Sequence, residues 1–169
     1  MFQLQGLPGD RLSRKYQILA ERYRDIKLVI VGGAGWLNKK VDRLIKKSKY
    51  KDDIKILGYV SEQQKAELYQ KARAFVWPSF YEGFGFPPLE AMSNGCPVIT
   101  SLSSASSEIC GGAAILVDPY KINEIAEGVS LVLSDKSLRE KLISRGYERA
   151  KEFKWEKTID KFLEIINNL

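Results

Sequence analysis

Short, almost wholly apolar segments alternate along the chain with longer segments whose apolar residues recur every three or four positions. The short segments are rich in β-branched residues, which is typical of parallel strands buried on both faces of a sheet. The longer segments have the period of amphipathic helices. This alternation predicts an α/β layered fold. The predicted strands span residues 27–31, 54–57, 74–77, 97–100 and 114–117.

Helices are predicted over residues 13–23, 37–48, 61–72, 88–94, 121–133 and 136 to about 153, with a last one from 155 onward. Local signals support several of these limits. Ser61 and Gln64 have the spacing of a capping box. Pro87 and Pro88 suit a first helical turn, and Gly95 suits a helix end. Residues 1–5 form a weaker candidate strand, so the sheet has five or six parallel strands.

The chain shows no internal repeat and no linker, which predicts a single domain over residues 1–169. The helices from about residue 136 onward either pack with the sheet layer or form an appendage to it. Apolar residues of the last helix fall on one face, and such a face is more often a buried stripe than an exposed surface. Its members are Ile159, Phe162, Leu163 and Ile166.

Composition narrows the chemistry that the chain can perform. It contains no histidine, which removes the commonest general base and the commonest metal ligand. Cys96 and Cys110 lack metal-ligand spacing, so we expect no metal site and a reduced, cytoplasmic chain. No apolar run approaches the length of a membrane-spanning helix.

A net charge of +6 favours anionic partners such as phosphates, nucleic acid or an anionic membrane surface. Most of the basic residues, however, lie beside acidic ones in predicted helices, which is typical of solvated helix faces. We therefore expect no nucleic-acid partner. A peripheral contact with the inner face of the membrane is the alternative to a fully solvated surface.

The segment WPSFYEGFGFPPLEAMSNGCPVITS, residues 77–101, combines features that suit a phosphate ligand. A loop with Gly83 and Gly85 follows a predicted strand, and a helix then begins. Ligands of open parallel sheets bind outside the carboxyl ends of the strands. Glycines allow the backbone to approach a ligand closely, and a helix N-terminus attracts anions. Glu82 and Glu90 could accept hydrogen bonds from sugar hydroxyls there.

Each of these features taken alone has an ordinary structural explanation. Glycines are common in tight loops, prolines often begin helices, and an acid in a first turn complements the helix dipole. The whole ordered string is more specific. It resembles the signature of the retaining nucleotide-sugar glycosyltransferases of the group 1 family. The matching residues are Pro78, Ser79, Glu82, Gly83, Phe84, Gly85, Pro87, Glu90, Ala91, Met92, Gly95, Pro97, Val98 and Ile99.

The resemblance covers roughly residue 26 to the C-terminus. It implies one half of a GT-B enzyme, namely a Rossmann-like three-layer α/β/α sandwich that holds the sugar donor. An N-terminal acceptor-binding domain would complete such an enzyme, so we expect these 169 residues alone to be inactive in transfer. The resemblance also implies no metal and no cofactor, with a nucleotide diphosphate sugar as substrate.

The resemblance further implies a role for each matching residue. Glu82 corresponds to the acid beside the transferred sugar and is the catalytic candidate. Glu90 corresponds to the acid that binds the ribose hydroxyls of the donor. The other implied donor contacts are the backbone of Phe84, Gly85 and Phe86 at the sugar, the amide of Leu89 at the distal phosphate, Gly33 beside the nucleotide, and Tyr59 and Val60 around the base.

An arginine and a lysine from a loop near the start of the domain neutralise the diphosphate in the family that the chain resembles. Arg14 and Lys15 are the candidates here, with Arg11 as a further one. The segment from residue 6 to 27 is shorter than in the family and lacks its usual spacing. The resemblance therefore leaves open which basic residue serves.

Residues 31–40 and 144–158 resemble hexosyltransferases of polysaccharide assembly. GDP-mannose is thus the first expected donor and UDP-glucose the second, with a saccharide or lipid-linked acceptor. Two other classes stay open. A non-catalytic nucleotide-binding or assembly module would suit the short N-terminal region. A sugar-nucleotide epimerase of GT-B architecture is disfavoured, because such enzymes are expected to use histidine.

Overall fold

The computed structural model describes residues 20, 21, 23, 26–32, 38–103 and 105–168. The predicted strand at 1–5 and most of the predicted helix at 13–23 lie outside these residues. The five other predicted strands are present, each within one residue of its expected limits. They are β1 Leu28–Val31, β2 Ile54–Gly58, β3 Phe75–Trp77, β4 Val98–Ser101 and β5 Ala114–Val117.

The described helices follow the sequence pattern with one exception. They are α1 Asn38–Lys47, α2 Glu62–Lys71, α3 Phe86–Ser93, α4 Ala105–Cys110, α5 Ile122–Ser134, α6 Lys136–Glu152 and α7 Trp155–Asn167, and a 3-10 turn spans Lys51–Asp53. The sequence pattern did not predict α4. Its six residues are too few to show a helical period, and its serines favour non-helical backbone hydrogen bonds.

All paired strands run parallel. Strand β1 pairs with β2, and β3, β4 and β5 pair in that order. The first ladder contains an irregularity between Ile30 and Val31, close to the carboxyl end of β1. Within each ladder the carboxyl ends of the strands therefore lie at one edge, and the connecting helices return the chain to the other edge.

Side chains of β1, β3, β4 and β5 alternate between two buried hydrophobic clusters. Strand β2 departs from the expected burial on both faces, because only its Ile54 is buried, whereas Ile56 and Leu57 are exposed. The first cluster includes Leu28, Val76, Ile99 and Val117 with residues of α5, and the second includes Val31, Phe75, Trp77 and Val98 with residues of α2, α3 and α4. Strands β1 and β3 contribute to both clusters, so the two ladders form one layer with helices on each side. This arrangement confirms the predicted Rossmann-like three-layer sandwich with a parallel sheet.

Capping interactions set several helix limits. The hydroxyl of Ser61 accepts a hydrogen bond from the Gln64 amide at 3.2 Å, and the Gln64 side chain accepts one from the Ser61 amide at 2.9 Å. The predicted capping box of α2 is thereby confirmed. Gly95 follows the C-terminal end of α3 and has a φ of 72°, as expected of a residue that ends a helix.

The last two helices differ in their packing. Helix α6 lies against α3, with Gly146 next to Met92, and its Leu142 is buried in the first cluster. Helix α7 has no buried residue. The interpretation of its apolar face as a buried stripe is therefore wrong, since Phe162 is 62% exposed. Among the described helices, none has the length and hydrophobicity needed to cross a membrane.

Candidate functional site

The loop that follows β3 is tied to β4 by side-chain hydrogen bonds. Thr100 donates to the carbonyl oxygen of Trp77 at 2.9 Å, and Ser101 donates to the carbonyl oxygen of Ser79. The hydroxyl of Ser79 donates in turn to the carbonyl oxygen of Tyr81 at 2.8 Å. Thr100, Ser101 and Ser79 are all buried. These bonds fix the backbone that leads into the glycine-rich part of the loop.

Glu82 is oriented by the last residue of β3. The indole Nε1 of Trp77 donates a hydrogen bond to Oε1 of Glu82 at 3.0 Å. Trp77 is 1% exposed, so its ring is fixed in the second core cluster. Within the described residues, the Oε2 atom of Glu82 accepts no hydrogen bond. The carboxylate is thus held at the carboxyl end of β3 with one oxygen open to a ligand.

Helix α3 begins without a capping side chain among the described residues. Its N-cap is Gly85, and Pro87 and Pro88 carry no N–H. The Leu89 amide lies 3.5 Å from the Gly85 carbonyl oxygen, which is the first, long hydrogen bond of the helix. No described residue accepts a hydrogen bond from the amide of Phe86. The positive end of the helix dipole is therefore open beside Glu82.

Glu90 lies in the second turn of α3 and contacts two side chains of α2. Lys65 Nζ lies 3.0 Å from each carboxylate oxygen of Glu90. The same ammonium lies 2.9 Å from Oε2 of Glu62. The Tyr69 hydroxyl donates to Oε2 of Glu90 at 3.4 Å. With 39% of its side chain exposed, Glu90 remains accessible to a ligand.

Both side chains that contact the Glu90 carboxylate, Lys65 and Tyr69, are held in their protonated forms. Partial burial by itself lowers the pKa of Lys65, but hydrogen bonds to Glu62 and Glu90 outweigh it, and the pKa is raised. Burial raises the pKa of the Tyr69 phenol, and the Glu90 carboxylate raises it further. At neutral pH, Lys65 is therefore a cation and Tyr69 a hydrogen-bond donor.

Aromatic side chains cover one side of the helix start. The rings of Phe84 and Phe86 lie 4.6 Å apart, and both side chains are exposed. The rings of Phe84 and Phe153, which lies at the end of α6, are nearly perpendicular, with their centroids 6.1 Å apart. Arg149 lies 4.8 Å above the Phe153 ring and donates to the carbonyl oxygen of Ile109 at 2.7 Å. The loop is thus supported from α6.

The carboxyl ends of β1 and β2 form the second part of the candidate site. The amide of Gly32 donates to the carbonyl oxygen of Gly58 at 2.9 Å, which joins the two strand ends. Tyr59 follows and is 89% exposed, whereas Val60 is partly buried and packs against the second core cluster. The candidates Gly33, Arg14 and Lys15, together with Arg11, lie outside the described residues.

A cavity of about 290 Å³ lies away from these residues, at the amino ends of β1 and β3. Lys27 and Ala74, which precede these strands, line it together with Lys71 at the end of α2 and Arg73 just after it. Neither Glu82 nor Glu90 contributes to it. The acids therefore mark the opposite edge of the sheet from this cavity.

The sequence pattern did not identify the side chains that hold the two acids and the loop before Glu82. Lys65, Tyr69, Trp77 and Ser101 come from three different elements. The spacing of 65 and 69 does place both on one face of a helix, which was the available signal. Nothing in the local sequence shows that this face meets Glu90.

Known proteins resemble this chain over most of its length. The family described as Glycosyl transferases group 1 matches residues 10–149. The O-antigen chain mannosyltransferase B of Escherichia coli is 39% identical over 146 residues, which cover 86% of this chain and 38% of that protein. The chain thus spans well under half the length of this relative.

Solved structures show the same fold. The C-terminal domain of a group 1 glycosyl transferase, LpcC of Francisella tularensis, has a TM-score of 0.77 at 25% identity, over 90% of this chain and 82% of that one. TarM of S. aureus, solved with UDP, has a TM-score of 0.84 at 19% identity and covers 98% of this chain, which corresponds to 35% of TarM. With the family match over most of its length, the chain belongs to the group 1 glycosyl transferases.

Proposed function

We propose that this chain is the donor-binding domain of a retaining glycosyltransferase. The observation that carries the proposal is the placement of Glu82 and Glu90 beside the uncapped start of α3, at the carboxyl end of β3. A nucleotide diphosphate sugar has an anionic centre flanked by two groups of hydroxyls. An open helix start suits the diphosphate, and the carboxylates of Glu82 and Glu90 suit the hydroxyls.

Each end of the site has its own task in this proposal. Glu90 accepts hydrogen bonds from the ribose, and the open oxygen of Glu82 accepts one from the transferred sugar. The Phe86 amide and the helix dipole stabilise the diphosphate, together with Leu89 if its 3.5 Å bond to Gly85 opens. Phe84, Gly85 and Phe86 contact the sugar, and Tyr59 and Val60 the base.

Departure of the diphosphate builds negative charge at the start of α3. Groups that are already oriented toward that charge lower the barrier without reorganising. We assign this task to the helix start and to Gly33 and a basic residue from the segment with Arg14 and Lys15. No metal and no cofactor takes part in the proposed reaction.

The names of the relatives support a choice of donor and acceptor for this proposal. The E. coli relative is named an O-antigen chain mannosyltransferase, which supports GDP-mannose as donor and a saccharide or lipid-linked acceptor. TarM was solved with UDP, which supports a uridine nucleotide in the donor, and UDP-glucose stays the second choice. An N-terminal domain that brings the acceptor would complete the enzyme. The 169 residues alone should bind nucleotide and transfer nothing.

A lipid-linked acceptor would bring the protein to the cytoplasmic face of a membrane. The exposed basic residues in the last turn of α1 and just after it could contact anionic lipid there, namely Lys46, Lys47, Lys49 and Lys51. Lys49 is also paired with Glu21 at 2.7 Å, so part of this charge is already neutralised. We propose a peripheral contact that strengthens as ionic strength falls.

Titration calorimetry with GDP and UDP tests the donor role. Replacing Glu90 with Gln should weaken binding by about 1–3 kcal/mol, because it removes a charged hydrogen-bond acceptor from the ribose. Glu67→Gln is the matched control, since Glu67 lies on α2 and pairs only with exposed Lys71 among the described residues. Equal affinities of the two variants would indicate an assembly module rather than a donor site.

A further inference from the structure

Lys65 holds an unusual position for a lysine on a surface helix. Its side chain is 19% exposed, whereas Lys71 on the same helix is 77% exposed. Its ammonium lies between two carboxylates, Glu62 on its own helix and Glu90 on α3. Ordering a long side chain in this way costs conformational entropy, and exposed ion pairs repay little of that cost. The position therefore points to a task in the site.

The contact geometry shows what that task is. An ionised carboxylate offers about four acceptor positions. Lys65 fills one on each oxygen of Glu90, and Tyr69 fills a second one on Oε2. Both partners approach from α2, so the carboxylate cannot rotate without losing a charged hydrogen bond. Among the residues that the structure describes, no second donor reaches Oε1, so one acceptor position on that oxygen is vacant.

We propose that Lys65 is a positioning residue for Glu90, which fixes the carboxylate so that the vacant position on Oε1 receives a ribose hydroxyl. The proposal rests on the donor-site function proposed above. It adds that recognition of the ribose depends on a cation that itself touches no part of the nucleotide. Tyr69 supports the same orientation from the core side, since it is fully buried.

A purely structural role for Lys65, as a link between α2 and α3, predicts a different result. Loss of such a link would weaken the binding of any ligand near α3, with or without ribose hydroxyls. Loss of a positioning residue would weaken only ligands that use those hydroxyls. The ratio of affinities for GDP and 2′,3′-dideoxy-GDP separates the two roles.

The experiment measures both nucleotides by calorimetry on the full 169-residue chain. Lys65→Met should reduce the preference for GDP over its dideoxy analogue about tenfold, the effect of losing one charge-supported hydrogen bond. Lys65→Arg should restore most of the preference. Lys71→Met is the control, because it removes an exposed lysine from the same helix and should leave the preference unchanged.

The outcomes separate this inference from the function on which it rests. If the wild-type chain binds neither GDP nor UDP, both fail. Glu90→Gln could abolish the preference for GDP over its dideoxy analogue while Lys65→Met retains it. That result, or an equal weakening of both nucleotides by Lys65→Met, would overturn only the role of Lys65. Thermal unfolding checks that each variant is folded. If Lys65→Met does not fold, Lys65→Gln replaces it in the same binding measurement.

Discussion

Gly85 shows at the scale of single residues how the sequence prepares the candidate site. Its φ of 114° lies in a region that side chains rarely adopt. A Cβ atom added there would lie 3.2 Å from the hydroxyl oxygen of Ser106 and 3.4 Å from its Cα. Gly83, two positions earlier, has no such neighbour within 4 Å. Backbone conformation and the contact with Ser106 therefore favour glycine at position 85, whereas neither applies at Gly83.

Replacing Gly85 with Ala should destabilise the fold by about 1–3 kcal/mol, since it strains the backbone and crowds α4. Gly83→Ala should change stability by no more than about 0.5 kcal/mol. Urea unfolding followed by circular dichroism measures both. Equal losses in the two variants would show that backbone conformation at Gly85 is not what selects glycine there.

The acids and glycines of the site could be predicted from sequence, because they lie within one short segment. Their supports could not. Lys65 and Glu90 are 25 positions apart, and Trp77 reaches Glu82 only through the turn of the loop. Such contacts depend on how elements pack, and no local spacing encodes them.

At the scale of elements, helix α3 is the one that the site depends on, since it carries both the open N-terminus and Glu90. It is held between α2, through Lys65 and Tyr69, and α6, through close packing. A Cβ atom added at Gly146 of α6 would lie 3.2 Å from Cγ of Met92. The absence of a side chain at this point lets the two helices approach.

Replacing Gly146 with Leu should therefore push α6 away from α3. We expect a loss of about 1–3 kcal/mol in stability from overpacking, accompanied by weaker nucleotide binding as α3 shifts. Ser144→Leu is the control, because Ser144 is exposed on the same helix. Denaturant unfolding and calorimetry measure the two effects. A Gly146→Leu variant as stable as the control would contradict the close packing.

Element prediction succeeded where hydrophobic period was visible and failed where it was not. The strands lie within one residue of their predicted limits, because each is a short and mainly apolar run. Helix α4 was missed because six residues rich in serine show neither period nor propensity. Helix α3 begins at Phe86 rather than at 88, since the proline signal identifies the first turn but not its first residue.

For the whole molecule, the alternation of strand side chains between two clusters makes the sheet layer, and the carboxyl end of β3 in that layer positions Glu82 and the start of α3. Burial on both faces could be read from the continuous runs of β3 and β4, although Ile56 and Leu57 of β2 are 51% and 45% exposed. The exposure of α7 could not, because a helix with an apolar face has the same pattern whether or not anything covers it. Trp155, Ile159 and Phe162 are all more than half exposed.

A crystal structure of the chain with GDP would show whether the nucleotide binds at Glu90 and the start of α3. We expect a nucleotide at the carboxyl end of β3, with a ribose hydroxyl bonded to Glu90 and the diphosphate at the amide of Phe86. A nucleotide bound elsewhere, such as in the cavity lined by Lys27, Lys71 and Arg73 at the opposite edge, would contradict it.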